Sequence, residues 1–503
     1  MEKVEGYVQG WAGVAFAGIA GASLPLAFAP FDWALVALVA PAALFYIAAC
    51  APHKRALQAG YVFGLGMFGV GASWVFVSIN EYGGAGLLLS GLVTAGFVAL
   101  LAVFPLGAVW LSRWITSSTR LRLLLVLPAA WVLLEWVRTW LFTGFPWLFL
   151  GYAALDTPLA GFAPLVGVLG TSVVIAWLAG WLAMLLVKPG KYAFIGVLSG
   201  LIATIAVGAF ADRSWSTRVG EPIEAVLLQG NHPQELKWRP AYRQTIRNSY
   251  AQLTKEHLGA DLIIWPETSL PELFENVDEG FLRPLAEQVR EAGGALLVGI
   301  PWRDKQREGE PLYNAVVVFG GAGPNFYTKR HLVPYGEYVP LREFVGRSLD
   351  FLGAPLADYV SGPKPEAVAV NGLKLGITIS YEVAYQLAVA RGARGSDMLV
   401  NVSNDAWFGD SLAPHQHLQK ARQRAAEMRR WMLRATNTGI TAVINPYGEV
   451  VKQGERFVET SVAAEVEKRR GQTPYMVMGD WPVVILVSIL LLARPAWRVW
   501  KRG

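Results

Sequence analysis

A series of long apolar runs constrains this chain more than any other feature, with seven runs before residue 212 and one after residue 480. A helix that crosses a bilayer needs roughly 20 mostly apolar residues. The runs approach or exceed this length at residues 11–29, 33–50, 56–79, 85–112, 121–140, 160–187, 192–211 and 481–500. We therefore predict a polytopic α-helical membrane domain with about eight transmembrane helices.

The composition agrees with a membrane protein and argues against a nucleic-acid partner. The chain is 53% hydrophobic and 16% charged, whereas soluble domains carry about 25% charged residues. The net charge of +6 comes from basic residues in short loops between the apolar runs, where membrane proteins place them. The single cysteine, Cys50, excludes an intramolecular disulfide. His415 and His417 are closely spaced, but without nearby carboxylates or cysteines they indicate a solvated helix start, so we expect no metal and no cofactor.

The distribution of basic residues predicts the orientation of the chain. Lys and Arg follow the second, fourth, sixth and last apolar runs, whereas the alternate loops contain almost none. By the positive-inside rule, the basic loops and both termini are cytoplasmic. We therefore predict a membrane domain over 1–211, a periplasmic domain over 212–475, and a C-terminal transmembrane helix with a basic cytoplasmic tail over 476–503.

The segment 212–475 alternates short β-rich runs with helical runs. Strands are predicted at 223–229, 261–267, 295–301, 313–320, 326–332, 373–380, 397–404, 441–446 and 461–467. Helices are predicted at 240–258, 281–292, 383–391 and 414–436. A mixed pattern of this kind favours a layered α/β fold in which helices cover sheets.

Three segments of this domain place a reactive side chain at or near the end of an apolar strand. Glu267 follows one such strand, Lys329 lies near the end of another with Glu337 in the turn beyond, and Ser380 ends a third. A nucleophile, a base and a cation at strand ends suit covalent catalysis. A carboxylate that is partly desolvated also suits general-base work. Taken singly, each residue also has an ordinary structural explanation. Glu267 can be a helix-cap acid, Lys329 a solvated lysine on an edge strand, Glu337 a turn acid and Ser380 a serine that ends a strand.

Taken together, the segments resemble known signatures. Trp265–Glu267, Lys329–Glu337 and Ile379–Glu382 resemble the three signature segments of the nitrilase, or carbon–nitrogen hydrolase, superfamily. Such a domain between seven apolar runs and an eighth is similar to the apolipoprotein N-acyltransferase family. The segments Phe142–Trp147, Gln234–Trp238 and Asn401–Phe408 also resemble the pattern of that family. The resemblance implies a nitrilase-like αββα sandwich for the segment 212–475.

The resemblance also implies a function in lipoprotein maturation in a bacterial inner membrane. An acyl chain would pass from a membrane phospholipid to an enzyme thioester, and then to the α-amino group of the N-terminal diacylglyceryl-cysteine of an apolipoprotein. Glu267 is the implied general base, Lys329 stabilises the oxyanion, and Glu337 holds Lys329 or shares the proton transfer. The residues expected to bind substrate are Trp147, Trp238, Tyr335, Tyr381 and Glu382. We expect a monomer.

One departure from the family concerns the nucleophile, because the family has cysteine where this sequence has Ser380. A thiol is a few per cent thiolate at neutral pH, whereas a serine hydroxyl needs stronger activation than a lone glutamate gives. The simplest explanation is a deliberate replacement that inactivates the enzyme; a natural inactive homologue and a working serine variant are the alternatives. Two other functions stay open, a membrane-tethered nitrilase-like amidase and a non-catalytic lipid-binding or transport protein.

Overall fold

The chain divides into two compact units, each described by itself. The computed structural model describes residues 9–211, 213–321, 323–338, 358–364 and 366–493. The membrane unit comprises Met1–Phe76, Leu87–Arg213 and Met478–Gly503, and the α/β unit comprises Val77–Gly86 and Ser214–Val477. The sequence did not predict that the short segment Val77–Gly86 belongs with the α/β unit.

Helices make up the described part of the membrane unit. The α-helices here are Trp11–Ser23, Val36–Cys50, His53–Gly71, Trp74–Val77, Gly86–Leu101, Val103–Ile115, Thr119–Leu121, Leu127–Val137, Ala163–Val187, Lys191–Ala211 and Trp481–Leu492, the fourth and fifth of which overlap the boundary with the α/β unit. Helical turns of other types occur at Leu24–Ala27, Arg122–Val126, Leu141–Thr143, Leu150–Ala154 and Pro158–Phe162.

The predicted number of about eight spans is not confirmed. Within the described residues, three helices are long and apolar enough to cross a membrane, namely Gly86–Ile115, Pro158–Val187 and Lys191–Ala211. A bent pair, His53–Gly71 and Trp74–Tyr82, makes a fourth if its two arms, 51° apart, count as one span. The run predicted at 121–140 forms a π turn, Arg122–Val126, that continues directly into the helix Leu127–Val137. Apolar composition predicts where helices form, but breaks within the runs set their lengths.

Two helices of the membrane unit approach each other closely through glycine. A Cβ atom at Gly21 would lie 2.0 Å from the carbonyl oxygen of Phe63, and one at Gly66 would lie 2.3 Å from the carbonyl oxygen of Gly18. No side chain fits in either place, so the helices Trp11–Ser23 and His53–Gly71 pack backbone against backbone. Small residues serve this purpose in membrane helices, where close packing drives association.

The α/β unit contains two large sheets and their covering helices. Its described strands are β1 (Thr217–Arg218), β2 (Ile223–Gln229), β3 (Leu262–Ile264), β4 (Ala295–Arg303), β5 (Leu312–Phe319), β6 (Asn325–Thr328), β7 (Val368–Val370), β8 (Leu373–Ile379), β9 (Met398–Ser403), β10 (Met432–Thr436), β11 (Ala442–Ile444), β12 (Val450–Gln453), β13 (Thr460–Val466) and β14 (Arg469–Arg470). Its α-helices are Gln234–Lys237, Arg243–Lys255, Phe274–Val277, Arg283–Glu291, Gln386–Ala393, Ala413–Met428 and Pro474–Met478.

The strand order confirms a layered sandwich. One six-stranded sheet runs β13-β2-β3-β4-β5-β6 and the other runs β12-β11-β10-β9-β8-β7, each with three parallel strands at its centre. Side chains from both sheets, such as Leu227 and Val400, share one buried core. The outer face of the first sheet packs on the helices Arg243–Lys255 and Arg283–Glu291, and that of the second on Gln386–Ala393 and Ala413–Met428. The layers are therefore αββα, as the resemblance implied.

One predicted helix is wrong at its end. The helix predicted at 414–436 ends at Met428 in the structure, where Arg429 adopts a left-handed φ of 49°. The chain then continues as β10, which pairs with β9 and β11. Pairing within the buried sheet outweighs the helix-forming tendency of these residues, because strand preference depends on what a segment packs against.

Candidate active site

Polar residues follow the carboxyl ends of strands in both sheets, and three of them, Glu267, Lys329 and Ser380, were singled out in the sequence. Glu267 comes shortly after β3 and Lys329 directly after β6, in the first sheet. Ser380 comes directly after β8 and Asp405 shortly after β9, in the second sheet. Because the two sheets face each other across one core, these strand ends can contribute to a shared site.

Four buried residues form what we call the Lys329 cluster: Glu267, Asn314, Lys329 and Glu337. The Lys329 Nζ lies 3.1 Å from Glu267 Oε1 and 2.9 Å from Glu337 Oε1. Asn314, on β5, donates from Nδ2 to the same two oxygens at 2.7 Å each. Two carboxylates thus share one ammonium and one amide, which brings the three predicted residues Glu267, Lys329 and Glu337 together.

The charge state of Lys329 follows from its neighbours. Burial acts to lower the pKa of Lys329, but the carboxylates of Glu267 and Glu337 more than offset it and raise this pKa above its ordinary value. Lys329 is therefore a firmly protonated cation and not a base. A fixed ammonium in a buried site can stabilise negative charge that develops on a substrate oxygen.

The carboxyl end of β9 connects Glu267 with Ser380. Glu267 Oε2 accepts a hydrogen bond from the backbone N–H of Asn404 at 2.9 Å. The preceding residue, Ser403, has its Oγ 3.3 Å from Ser380 Oγ. Glu267 and Ser380 therefore contact two adjacent residues, Asn404 and Ser403, at the carboxyl end of β9.

Ser380 stands on a sharp turn from strand to helix. It begins the 3₁₀ helix Ser380–Ala384 with a φ of +50° and is half-buried. A left-handed φ in a residue other than glycine costs about 1–3 kcal/mol and is concentrated at functional sites. A similar turn presents the nucleophile in other hydrolases. The strand-end position predicted for Ser380 is observed.

A second group of buried residues, which we call the Arg434 cluster, comprises Ser403, Asp405, His417 and Arg434. Asp405 accepts from Ser403 Oγ at 2.7 Å and from Arg434 Nη2 at 2.6 Å, and it contacts His417 Nδ1 at 2.9 Å. His417 Nε2 lies 3.1 Å from the carbonyl oxygen of Ser380. The Arg434 cluster therefore contacts the backbone of the turn at Ser380.

The sequence missed most of this second cluster. We expected His417 at a solvated helix start, but it is buried, so that interpretation is wrong. Burial acts to raise the pKa of Asp405, yet Arg434 and His417 more than offset it and hold this pKa well below its usual range. The signal in the sequence was an arginine, Arg434, between apolar residues of a β-compatible run.

Comparisons with known proteins bear on both units. Residues 20–181 match the family described as "Apolipoprotein N-acyltransferase N-terminal domain", and residues 227–475 match "Carbon-nitrogen hydrolase". A protein of Methylococcus capsulatus named apolipoprotein N-acyltransferase is 46% identical over 93% of this chain and 93% of its own length. Proteins of that name from Azotobacter vinelandii and Pseudomonas aeruginosa are 40% and 39% identical over 96% of this chain and over 94% and 95% of their own lengths.

The chain belongs to the apolipoprotein N-acyltransferase family. This confirms the resemblance drawn from the signature segments. Together with the apolar helices, membership of the family indicates a protein of the bacterial inner membrane. Among solved structures, Saccharomyces cerevisiae Nit3, a member of the nitrilase superfamily, aligns at 20% identity over 50% of this chain and 91% of that chain, with a TM-score of 0.38.

Glu382, predicted to bind substrate, has contacts that indicate a positioning role. Its Oε2 accepts from Ile379 N at 2.8 Å and from Tyr327 Oη at 2.9 Å. Its Oε1 accepts from Arg330 N at 2.7 Å and from His331 N at 3.1 Å. Glu382 therefore ties the segment after Lys329 to the strand that leads to Ser380. Its contact with substrate stays a prediction.

The remaining predicted binding residues lie in different settings. Trp238 is 43% exposed and Tyr335 is 54% exposed. Tyr381 is half-buried, with its ring 5.1 Å from that of Tyr385. Trp147 belongs to the membrane unit, where it is buried against Phe145. Among the described residues, no group of His, Cys, Asp and Glu could hold a metal ion. The substrate-binding roles of all four residues stay predictions.

Proposed function

We propose that this chain is built to transfer an acyl chain from a membrane phospholipid to the free N-terminal amine of a diacylglyceryl apolipoprotein. The observation that supports this most is the contact of Lys329 with Glu267 at 3.1 Å, beside the end of β9 that contacts Ser380. A base and a fixed cation near a nucleophile position are what acyl transfer requires. The names of the relatives supply the acceptor.

The first half-reaction would form an acyl-enzyme on a thiol at position 380. Glu267 would accept the thiol proton, and the thiolate would attack the ester carbonyl of the phospholipid. Lys329 and the backbone N–H of Tyr381 would stabilise the negative oxygen of the tetrahedral intermediate. The ester C–O bond then breaks, and Glu267 returns the proton to the lysophospholipid oxygen that leaves. Glu337 would keep Lys329 in place throughout.

The second half-reaction would regenerate the thiolate. The α-amine of the apolipoprotein would attack the thioester carbonyl, and Glu267 would accept a proton from the amine nitrogen as the C–N bond forms. The C–S bond then breaks, so that an amide and a thiolate result, and Glu267 returns its proton to the thiolate before the next cycle. Water has to be kept away from the thioester between the two steps, because hydrolysis would waste the acyl group.

With Ser380 in place, we propose that the chain holds substrate without completing the first step. A hydroxyl preserves the shape of the turn but lacks the acidity of a thiol, and the Lys329 cluster offers it one carboxylate as a base. The contact of Ser403 Oγ with Ser380 Oγ shows that the hydroxyl has a hydrogen-bonding partner at this turn. The Ser380→Cys variant would restore the nucleophile.

The proposal is tested by product formation in detergent micelles. The Ser380→Cys variant, mixed with phospholipid and a synthetic diacylglyceryl-cysteine peptide, is expected to give the N-acylated peptide, detected by mass spectrometry. The matched control is the same peptide with an acetylated amine, which is expected to give none. Hydrolysis of simple amides by this variant, without acylation of the peptide, would support the amidase alternative and contradict the proposal.

We also propose the orientation predicted from the basic loops, with the α/β unit in the periplasm and both termini in the cytoplasm. This supports the mechanism, because lipid-anchored donor and acceptor reach the site by lateral diffusion in one leaflet. Alkaline phosphatase inserted in the exposed turn near Gly309 is expected to be active in cells. Activity of a cytoplasm-dependent reporter at that same place, with an inactive phosphatase, would contradict the orientation.

A further inference from the structure

Lys237 is a buried lysine to which neither the sequence motifs nor the proposed mechanism gives a role. It ends the short helix Gln234–Lys237 and is 1% exposed. Its Nζ has no hydrogen-bond partner among the residues that the structure describes. Lys329, by contrast, donates to two carboxylates. A buried ammonium is costly unless something accepts its hydrogen bonds.

The position of Lys237 beside the Lys329 cluster is fixed by a chain of amide contacts. Asn404 donates from its backbone to Glu267 and from Nδ2 to Gln234 Oε1, both at 2.9 Å. Gln234 begins the helix that Lys237 ends. The Asn404 loop therefore holds the general base and the Lys237 helix at the same time.

The electrostatics agree with a cation that faces the site. Burial lowers the pKa of Lys237 to about 8, while the charge of Glu267 acts in the opposite direction. Lys237 thus remains mostly protonated at neutral pH and lies close enough to Glu267 for the two charges to interact. His232 Nε2 is also buried without a partner among the described residues. Burial lowers the pKa of His232, and the charge of Lys237 lowers it further, so the two side chains are close enough for this charge to act.

The chemical class of a ligand that would pair with Lys237 can be narrowed. It must offer an oxygen acceptor, and negative charge favours it, since hydrogen bonds between ions are about twice as strong as neutral ones. The acceptor substrate brings an amine, which Lys237 would repel. A phospholipid donor brings a phosphodiester a few bonds from the ester that reacts. Lys329 is already engaged by two carboxylates, so Lys237 is the cation beside Glu267 whose donors are unused.

We infer that Lys237, with His232 Nε2 beside it, is the subsite that binds the phosphodiester oxygen of the acyl donor, an inference that rests on the proposed function. The subsite would select a phospholipid over a neutral ester with the same chains. It would also place the ester carbonyl between Lys329 and the nucleophile position. Lys237 would take no part in proton transfer.

Equilibrium binding tests this without catalysis. The full chain with Ser380, in neutral detergent, is titrated with phosphatidylethanolamine and with diacylglycerol of the same acyl chains, each in competition with a fluorescent phosphatidylethanolamine. Lys237→Met is expected to weaken binding of the phospholipid about 10- to 100-fold, the value of one hydrogen bond between charged groups. Binding of diacylglycerol is expected to change less than about twofold. The matched control is Lys255→Met, which removes an exposed lysine.

Thermal unfolding provides the second measurement. Without lipid, Lys237→Met is expected to be at least as stable as the parent chain, because it removes an ammonium that lacks a partner. A clearly lower Tm for Lys237→Met than for Lys255→Met would mean that the folded chain itself satisfies Lys237, and it would overturn the inference. The inference would also be overturned if Lys237→Met weakened the binding of both lipids equally, or weakened the binding of neither.

Two further measurements complete the test. One distinguishes a lipid phosphodiester from free phosphate, and the other distinguishes failure of this inference from failure of the proposed function. Inorganic phosphate is expected not to compete at millimolar concentration; strong competition that Lys237→Met abolishes would mean that the subsite takes a free anion, and would overturn the assignment to a lipid. Failure of the Ser380→Cys variant to acylate the peptide would refute the proposed function. The binding difference between the two lipids would still be measurable in the chain with Ser380.

Discussion

The Arg434 cluster contacts Ser380, whereas the Lys329 cluster contacts the backbone of Asn404, the residue after Ser403. The two clusters also differ in how their charges are balanced. In the Arg434 cluster, one carboxylate meets one guanidinium, and Asp405 also contacts Ser403 and His417. In the Lys329 cluster, two carboxylates share one ammonium, and Glu267 also contacts the Asn404 backbone. The Arg434 cluster therefore has one carboxylate for one guanidinium, whereas the Lys329 cluster has two carboxylates for one ammonium.

The difference indicates a division of labour between the two clusters. The Arg434 cluster reaches Ser380 through its backbone carbonyl, where His417 Nε2 lies at 3.1 Å. The Arg434 cluster can therefore fix the shape of the turn. Its carboxylate, Asp405, stays ionised because Arg434 and His417 hold its pKa low. In the proposed mechanism, the Lys329 cluster supplies a base and a cation for a reacting group. We therefore expect substitutions in the Lys329 cluster to change rates and those in the Arg434 cluster to change stability.

The largest effect is expected for Glu267. In a Ser380→Cys background, Glu267→Gln is expected to slow acylation by phospholipid about 10²- to 10⁴-fold, the usual contribution of a general base. The amide keeps the size of the side chain but replaces one acceptor oxygen by an N–H₂ group, so a loss of about 1–3 kcal/mol of unfolding free energy is expected as well. Single-turnover acylation and thermal unfolding measure the two effects. Glu291→Gln, at an exposed glutamate, is the control. Undiminished acylation in Glu267→Gln would remove Glu267 from the mechanism.

The next effect concerns the stability of the fold. Arg434→Met leaves the buried Asp405 without its cation and is expected to reduce the free energy of unfolding by about 3–5 kcal/mol, the cost of breaking a buried ion pair. Chemical unfolding in detergent measures the change. Arg290→Met, at an exposed arginine, is expected to change it by less than about 0.5 kcal/mol. In the Ser380→Cys background, a fully stable Arg434→Met protein that cannot be acylated would reverse the division between the clusters.

The smallest effect is expected at Glu382, which joins the two strand ends. Glu382→Gln replaces one acceptor oxygen by an amide N–H₂ and leaves two of its four donors unpaired, at a cost of about 1–3 kcal/mol of unfolding free energy. Tyr327→Phe removes a single donor and is expected to cost about 1 kcal/mol. If Glu382→Gln instead keeps its stability and raises KM for phospholipid in the Ser380→Cys background, the substrate-binding prediction for Glu382 is right.

Much of the Lys329 cluster was predictable because its residues lie in local patterns. Glu267 and Lys329 follow strands, as Ser380 beside the other cluster does, and a strand end can be predicted from the sequence. The Arg434 cluster was not predictable in this way. Asp405, His417 and Arg434 meet because β9 pairs with β10 and a helix packs across them. No local sequence pattern predicts that strands β9 and β10 pair, and the helix predicted at 414–436 included the residues that form β10.

Lys237 and the membrane helices show two further limits of the sequence. The segment Gln234–Trp238 was noted for its resemblance, but a lysine at the end of a short helix usually interacts with free carbonyl groups or solvent. Only the structure shows that Lys237 is buried near Glu267. For the membrane unit, hydropathy predicted where helices form, whereas bends such as the 51° break after Gly71 set how long they are.

Intact-mass spectrometry of the Ser380→Cys variant after incubation with phospholipid decides whether position 380 carries the acyl group. We expect a mass increase of one acyl chain on that variant, its release by hydroxylamine, and no increase for the chain with Ser380. The increase is expected to be much slower when Glu267→Gln is added. An acyl group that appears on another residue, or no acylation of Ser380→Cys under conditions in which the protein binds phospholipid, would contradict acyl transfer through this site.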